Sequence, residues 1–215
     1  MNILVNKAHF PVYVLGHGKR IGIWLQGCSI RCSSCCSLDT WEFGNDYGMD
    51  VTALVDWCRH VSTDAIDGVT ISGGEPFDQP DALLDLLKAL NLWRSEKSRQ
   101  FDILVYSGYS DRLIKRDFSE HLKYLDAVVA GPFRESAGGE KSYCGSDNQH
   151  IVVFSPIATA RYGSDGLAGW KSGMQVATDD EGIWMIGIPR PGDLEKFDAG
   201  CLQRGLVLEK PSWRC

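Results

Sequence analysis

Residues 21–35 read IGIWLQGCSIRCSSC, an apolar segment that runs directly into three cysteines. The first five of these residues are apolar apart from Gly22, and they predict a buried strand. Cys28, Cys32 and Cys35 follow on one short loop, separated by three and then two residues. Three thiols at such short spacing after a strand predict a site with metal or redox chemistry.

Strands and helices alternate along the chain that follows this loop. Apolar runs predict strands over 68–71, 101–106 and 125–130, and helical periodicity predicts helices over 51–61, 81–93 and 111–118. We expect Asp78 or Asp81 to cap the second of these helices. Such alternation favours a parallel sheet, either open or partly closed into a barrel. Because ligands gather at the carboxyl ends of parallel strands, the loops after the strands are expected to converge on one rim.

The composition changes toward the C-terminal end of the chain. A strand is expected over 151–154, a Gly- and Ser-rich loop over 155–175, a hairpin formed by Val176 and residues 183–188, and a short helix over 191–204. We therefore predict a core, residues 1–155, and a C-terminal hairpin-plus-helix appendage packed on it, residues 156–215.

Length and composition restrict the class of protein. The chain has 215 residues, of which 44% are apolar and 23% charged, as in ordinary globular proteins. No stretch approaches the ~18 apolar residues of a membrane span, and a net charge of −6 argues against a general nucleic-acid binder. The small basic group of His17, Lys19 and Arg20 is interpreted as a solvated turn. Without a recognisable export signal, we expect a cytoplasmic protein that binds neither membranes nor nucleic acid.

The three clustered cysteines are compatible with more than one kind of site. Each could bind one iron of an iron–sulfur cluster and leave a fourth iron open. Structural zinc needs four ligands, and the fourth would be Cys36 or Cys58, but a second short-spaced pair is missing. A redox dithiol would use Cys32 and Cys35 and leave Cys28 unexplained. Ordinary buried thiols are the remaining alternative.

The chain has eight cysteines, and the spacing of four of them indicates neither a metal site nor a redox site. They are Cys58, Cys144, Cys201 and Cys215. Cys58 lies on the apolar face of the predicted helix over 51–61, where we expect it to belong to the core. In a reducing compartment disulfides rarely persist, so the other three are expected to be free thiols.

Several motifs together resemble the radical S-adenosylmethionine (radical SAM) superfamily. Residues 22–28 (GIWLQGC) lead into the Cys-x3-Cys-x2-Cys loop, and residues 72–76 (SGGEP) resemble the second signature of the superfamily. Further likeness is carried by residues 39–41 (DTW), 106–110 (YSGYS), 131–133 (GPF) and 145–149 (GSDNQ). The resemblance covers about residues 10–155. It is to the small activating proteins of anaerobic ribonucleotide reductase and other glycyl-radical-enzyme activases.

The resemblance implies a fold and two cofactors. The fold is a partial (β/α) barrel of the radical SAM type. A [4Fe-4S] cluster would be held by Cys28, Cys32 and Cys35, and its open iron would bind the amino and carboxylate groups of S-adenosylmethionine. An electron from the reduced cluster would then cleave a carbon–sulfur bond and give methionine and a 5′-deoxyadenosyl radical.

The resemblance also implies which residues contact S-adenosylmethionine, and none beyond the cluster ligands is assigned a catalytic role. They are Ser34, Cys36, Gly73, Gly74, Glu75, Pro76, Ser107 and Gly108. Glycine at 73 and 74 lets the backbone approach a ligand closely. Glu75 is expected to accept a hydrogen bond from the cofactor ammonium, and the alternative is a loop carboxylate in water. The chain departs from many relatives in lacking an aromatic residue at 34 or 36, and in having Ala130 where activases often have Asp.

Three functions follow from these patterns. The leading hypothesis is an activase that abstracts a glycine hydrogen from a partner glycyl-radical enzyme, with flavodoxin or ferredoxin as the electron donor. The second is a radical enzyme that modifies a peptide or a small metabolite, with residues 156–215 forming a missing wall of the site. The third is a non-catalytic zinc or electron-transfer protein.

Overall fold

A seven-stranded sheet forms the centre of the computed structural model, which describes residues 1–63, 65–164, 166, 173–178, 182–209 and 211–214. In chain order its strands are β1 (Asn2–Val12), β2 (Arg20–Leu25), β3 (Gly48–Asp50), β4 (Gly68–Gly73), β5 (Asp102–Ser107), β6 (Ala127–Ala130) and β7 (His150–Val153). The spatial order is β3-β1-β2-β4-β5-β6-β7. β2, β4, β5 and β6 run parallel, whereas β1, β3 and β7 are antiparallel to their neighbours.

Helices connect the parallel strands and a small hairpin follows the sheet. The helices are α1 (Val51–Val61), α2 (Pro80–Ser95), α3 (Asp111–Asp117), α4 (Pro156–Tyr162) and α5 (Asp193–Gln203), and the hairpin consists of β8 (Met174–Thr178) and β9 (Ile183–Gly187). None of the helices in the described ranges has the length and apolar character of a membrane span. The predicted α/β class is confirmed, and the seven strands form an open row with edges at β3 and β7.

The central strands are buried on both faces, as parallel strands between two layers require. On one face, side chains such as Ile23, Ile71 and Val105 pack into a core with α1 and α2. On the other face, Leu104 and Val129 pack in a second cluster that includes residues of α4. Cys58 is fully buried in the first cluster, as predicted.

The other unassigned cysteines are also free where they are described. Cys144 and Cys201 are buried free thiols. Burial raises the pKa of the Cys144 thiol to about 11, so it is uncharged at neutral pH. Cys215 lies outside the described residues.

The prediction of a loop over 155–175 is wrong for residues 156–162, which form α4. The Ser155 side chain caps this helix by accepting from the backbone N–H of Ala158, and Pro156 occupies its first turn. Ala158 and Tyr162 are buried on one face, so tertiary packing stabilises a helix too short to persist alone. β1 and β3 were not predicted either.

Arg20 is fully buried, so its interpretation as part of a solvated turn is wrong. Its guanidinium donates to both carboxylate oxygens of Asp102, at 2.5 and 3.2 Å, and to the Thr70 hydroxyl at 2.7 Å. Arg161 of α4 also pairs with Asp102, at 2.5 Å. A buried carboxylate between two guanidinium groups therefore fastens β2, β5 and α4 together at the end of the sheet where these strands begin.

Candidate active site at the carboxyl ends of the strands

A cavity of about 460 Å³ lies where β2, β4 and β5 end. The loops that follow these strands converge on it, as the parallel sheet predicts. The predicted site residues that line it are Cys28, Cys32, Ser34, Cys35, Cys36, Gly73, Gly74, Glu75, Ser107 and Gly108. Pro76 is the exception, because it is buried at the start of a short 3-10 turn rather than in the cavity wall.

The three clustered cysteines are partly buried free thiols on one loop. Burial raises the pKa of the Cys28 and Cys32 thiols, and backbone N–H groups that face the two sulfurs oppose this shift. One of the donors to Cys32 is the backbone amide of Phe133, which belongs to the segment after β6. The Ser37 amide donates to the Cys35 sulfur at 3.4 Å. Amide donors of this kind stabilise negative charge on sulfur.

Asp78 holds the beginning of the cysteine loop. Its Oδ2 accepts from the Ser29 amide at 2.7 Å, and its Oδ1 accepts from the Ser29 hydroxyl at 3.0 Å and from the Tyr109 hydroxyl at 2.7 Å. The prediction that Asp78 or Asp81 caps α2 is wrong, since the residue at the N-cap is Gln79, without a side-chain cap bond. One feature of the sequence could have indicated that Asp78 contacts the cysteine loop. Asp78 lies in a turn after β4, at the same edge of the sheet as the cysteines.

Two side-chain amides, the buried Gln26 and the half-buried Gln79, secure the end of β2 just before Cys28. Gln26 is 1% exposed, and its Nε2 donates to the carbonyls of Asp39 and Glu42 at 3.1 and 2.6 Å. Gln79 donates to the carbonyl of Gln26 at 3.1 Å and accepts from the amide of Leu4 at 2.7 Å. The backbone on both sides of the cysteine loop is thus fixed by side chains that sequence reasoning did not single out.

The glycines at 73 and 74 allow two backbone segments to approach each other. Gly73 has φ +99°, and a Cβ at Gly74 would overlap the Gly27 carbonyl. The Gly74 amide donates to the carbonyl of Leu25 at 2.7 Å, and the Glu75 amide donates to that of Gly27 at 2.9 Å. The two glycines were expected to let the backbone approach a ligand. They let it approach another segment of the chain, residues 25–27, immediately before Cys28.

Glu75 is 1% exposed, so the alternative of a loop carboxylate in water is wrong. Its Oε1 accepts from the Phe77 amide at 3.0 Å and the Ser107 hydroxyl at 2.8 Å, and its Oε2 accepts from the Gly108 amide at 2.8 Å. Burial raises the pKa of Glu75 to about 7, against these hydrogen bonds, which lower it. Each carboxylate oxygen can accept two bonds, so Oε2 retains capacity for a further donor.

Residues that follow β9 contribute to the same cavity. The cavity lining includes residues 187–192, between β9 and α5, and Leu194 and Glu195 in the first turn of α5. Among the described lining residues Arg190 is the only cation, and Phe133, Trp41 and Ile30 supply apolar surface. Trp41 and Phe133 belong to motif segments that the sequence singled out, and residues 156–215 were expected to form a wall, but no short-range pattern marked the individual residues 187–195.

These residues fit a [4Fe-4S] cluster. Three soft ligands share one cavity, and backbone donors face their sulfurs. Within the described ranges, no three His, Cys, Asp or Glu side chains are placed to hold one metal ion. A cubane instead binds each thiolate to a different iron, which suits a loop with spaced thiols.

Comparison with known proteins agrees with this chemistry. Residues 14–152 match the family model described as "4Fe-4S single cluster domain". The anaerobic ribonucleoside-triphosphate reductase-activating protein of Enterobacteria phage T4 is 28% identical over 139 residues, which are 65% of this chain and 86% of that protein. The pyruvate formate-lyase-activating enzyme of Clostridium pasteurianum is 38% identical over 79 residues, 34% of this chain and 32% of that enzyme.

The match to the Clostridium enzyme is local, since it covers about a third of that enzyme. Among solved structures, QueE from Escherichia coli aligns with a TM-score of 0.43 and 16% identity, over 97% of this chain and 93% of that one. The family model spans more than half of the chain. The chain therefore belongs to the 4Fe-4S single cluster domain family, as an activase-like radical SAM enzyme whose cofactors are a [4Fe-4S] cluster and S-adenosylmethionine.

Proposed function

We propose that the chain activates a partner glycyl-radical enzyme by abstracting a hydrogen atom from a glycine of that partner. The observation that carries the proposal is the convergence of the three-cysteine loop, the Gly73–Gly74 turn and the Ser107–Gly108 turn on one cavity. Similarity to a reductase-activating protein over most of that protein's length supports the same reaction. We further propose a donor of the flavodoxin or ferredoxin type, and a cytoplasmic location stays a prediction.

In this proposal Cys28, Cys32 and Cys35 are the cluster ligands. When bound, the cluster supplies one electron to S-adenosylmethionine, which yields methionine and the 5′-deoxyadenosyl radical. The chain's own task is to orient the cofactor and to exclude water from the cavity. Asp78 and Gln26 fix the two sides of the ligand loop through the hydrogen bonds described above.

The second set of proposed contacts binds S-adenosylmethionine. Ser34 and Cys36 flank the third ligand, Gly73 and Gly74 expose backbone, and Ser107 and Gly108 form the facing turn. Glu75 would accept the ammonium at Oε2, the oxygen that has a free acceptor position. Pro76 fixes the turn after Glu75 from outside the cavity. Since positions 34 and 36 lack an aromatic ring, we assign the adenine contact to Phe133.

A second candidate function is supported by the appendage. We retain the proposed division into a core of residues 1–155 and an appendage of residues 156–215 packed on it. Residues 187–192, Leu194 and Glu195 form one wall of the cavity. A wall supplied by the chain itself suits a substrate smaller than a protein domain, so modification of a peptide or small metabolite is the alternative.

The two functions predict different products from one experiment. Reduced, reconstituted protein is incubated with S-adenosylmethionine and a candidate partner, beginning with an anaerobic ribonucleoside-triphosphate reductase. Activation predicts a glycyl radical signal in the electron paramagnetic resonance (EPR) spectrum of the partner. The Cys28→Ala, Cys32→Ala, Cys35→Ala triple variant is the control and should give no signal. Abundant 5′-deoxyadenosine without a glycyl radical on any partner would favour the alternative.

A further inference from the structure

The segment 211–214, near the end of the chain, contacts the far end of the cysteine loop. The Leu38 amide donates to the Ser212 carbonyl at 2.8 Å, and the Ser212 hydroxyl donates to the Cys36 carbonyl at 3.1 Å. Within the described residues, Ser212 supplies the hydrogen bonds that reach Cys36 and Leu38 from outside residues 35–41. Asp78 thus binds the start of the cysteine loop at Ser29, and Ser212 binds its end at Cys36 and Leu38.

Segment 211–214 and the hairpin are held in place by contacts with α5 and with the sheet. Trp213 lies edge-on to Phe197 of α5 with ring centroids 6.4 Å apart, and Arg214 pairs with Asp198 of the same helix. In the hairpin, Ile186 is buried against Val12 and Trp24. Segment 211–214 is therefore tied to α5, and the appendage is tied to β1 and β2.

The Cys36–Ser37 peptide unit connects Ser212 to a proposed cluster ligand. The carbonyl of this unit accepts from the Ser212 hydroxyl, and its N–H, on Ser37, donates to the Cys35 sulfur at 3.4 Å. Hydrogen bonds at the two ends of one peptide unit polarise each other and strengthen both. Donation to a ligand sulfur stabilises the more negative, reduced state of a cluster and so raises its reduction potential.

We propose that Ser212 is a positioning residue for the cluster, and that it acts on Cys35 through the Cys36–Ser37 peptide unit. Its hydroxyl orients the peptide so that the Ser37 amide points at the ligand sulfur. The appendage thereby sets the potential and the retention of the cluster as well as lining the cavity. This inference rests on the ligand assignment under Proposed function and does not depend on the identity of the substrate.

The test uses the full-length chain, reconstituted anaerobically with iron and sulfide. A Ser212→Ala variant loses the hydroxyl but keeps the backbone carbonyl that Leu38 requires. We expect its midpoint potential, from an EPR-monitored redox titration, to be more negative than that of the wild type. Loss of one hydrogen bond of ordinary net strength predicts iron release to a chelator about 2- to 10-fold faster. A Ser212→Thr variant, which retains a hydroxyl, should restore both values.

The matched control is Ser95→Ala, which also removes one serine hydroxyl that donates to a backbone carbonyl, that of Leu92 at 2.7 Å. It should leave the potential and the iron release unchanged. An unchanged potential in Ser212→Ala, no rescue by Ser212→Thr, or an equal shift in Ser95→Ala would each overturn the inference. Full cluster content in a Cys35→Ala variant would instead overturn the ligand assignment, whatever the behaviour of Ser212.

Discussion

Glu75 joins the two turns that face each other across the cavity, through Ser107 and Gly108. Its folded-state pKa of about 7 exceeds the usual value near 4.5, so folding favours the protonated form. The stability that Glu75 contributes is therefore fully present below about pH 4.5 and is lost as the pH rises through 7.

A Glu75→Gln variant cannot ionise, and this predicts a pH-dependent difference from the wild type. The free energy of unfolding of the variant, relative to that of the wild type, should rise by roughly 1 to 3 kcal/mol between pH 5 and pH 8. Urea unfolding of the cluster-free proteins at the two pH values measures this change. A difference that stays constant across the range would show that Glu75 is not held at a raised pKa.

Gly74 lies against the backbone before Cys28, where a Cβ would overlap the Gly27 carbonyl. Because the obstacle is backbone, Gly74→Ala should destabilise the fold by about 2 kcal/mol or more and reduce the iron content after reconstitution. The control is Gly200→Ala in α5, where the nearest atom to an added Cβ is the end of the Arg204 side chain at 3.7 Å. That variant should gain about 0.5–1 kcal/mol from helix propensity. Equal thermal unfolding temperatures for the two variants would contradict this account of the turn.

For individual residues, the sequence predicted well those sites whose members are close together in the chain. Cys28, Cys32 and Cys35 are close in sequence, and their spacing alone indicated a shared site. Arg20 was misjudged because its partner Asp102 is 82 residues away, and no short-range pattern marks the pair. The role of Asp78 was missed for the same reason, since its partner Ser29 lies 49 residues earlier.

At the scale of secondary structure elements, the buried ion network binds β2, β5 and α4. Burial acts to raise the pKa of Asp102, but the Arg20 and Arg161 guanidinium groups outweigh it and hold the pKa below its usual range. This stability is present above the unfolded-state pKa of about 3.9 and is lost as the pH falls through the lower folded value.

Removing the central charge should therefore destabilise the fold strongly. Asp102→Asn leaves two guanidinium groups without a carboxylate and predicts a loss of about 3–5 kcal/mol at pH 7. The control is Asp111→Asn, which breaks an exposed pair with Lys115 on α3 and should cost less than about 1 kcal/mol. Chemical denaturation of both variants measures the two losses. A loss below about 1 kcal/mol in Asp102→Asn would mean that the network does not fasten these elements.

The elements that the sequence predicted are those with strong apolar runs. β5 and β6 contain continuous apolar runs, as strands buried on both faces do, and β4 contributes the β-branched Val69 and Ile71 just before a glycine-rich turn. β1 escaped prediction because its residues, NILVNKAHFPV, mix polar and apolar side chains and include Pro11. α4 has seven residues, and the burial of Ala158 and Tyr162 that stabilises it depends on the folded sheet.

At the scale of the whole molecule, the proposed appendage contacts the proposed core at the cavity and at the cysteine loop, as well as through α4 and the hairpin. Residues 187–192 line the cavity, and Ser212 contacts the loop at Cys36 and Leu38. The sequence indicated an appendage and, in the second hypothesis, a wall of the site, but it did not indicate the contacts with Pro11 and Cys36, because each joins residues more than 150 positions apart. The core of the site was predictable from motifs, and its outer wall required the structure.

Radical chemistry at the three-cysteine site is measured directly by the amount of 5′-deoxyadenosine that the reduced, reconstituted chain forms from S-adenosylmethionine. We expect the wild-type protein to form it, and the Cys28→Ala, Cys32→Ala, Cys35→Ala triple variant to form none. Wild-type protein that carries its cluster but forms no 5′-deoxyadenosine, or a triple variant that forms as much as the wild type, would contradict this expectation.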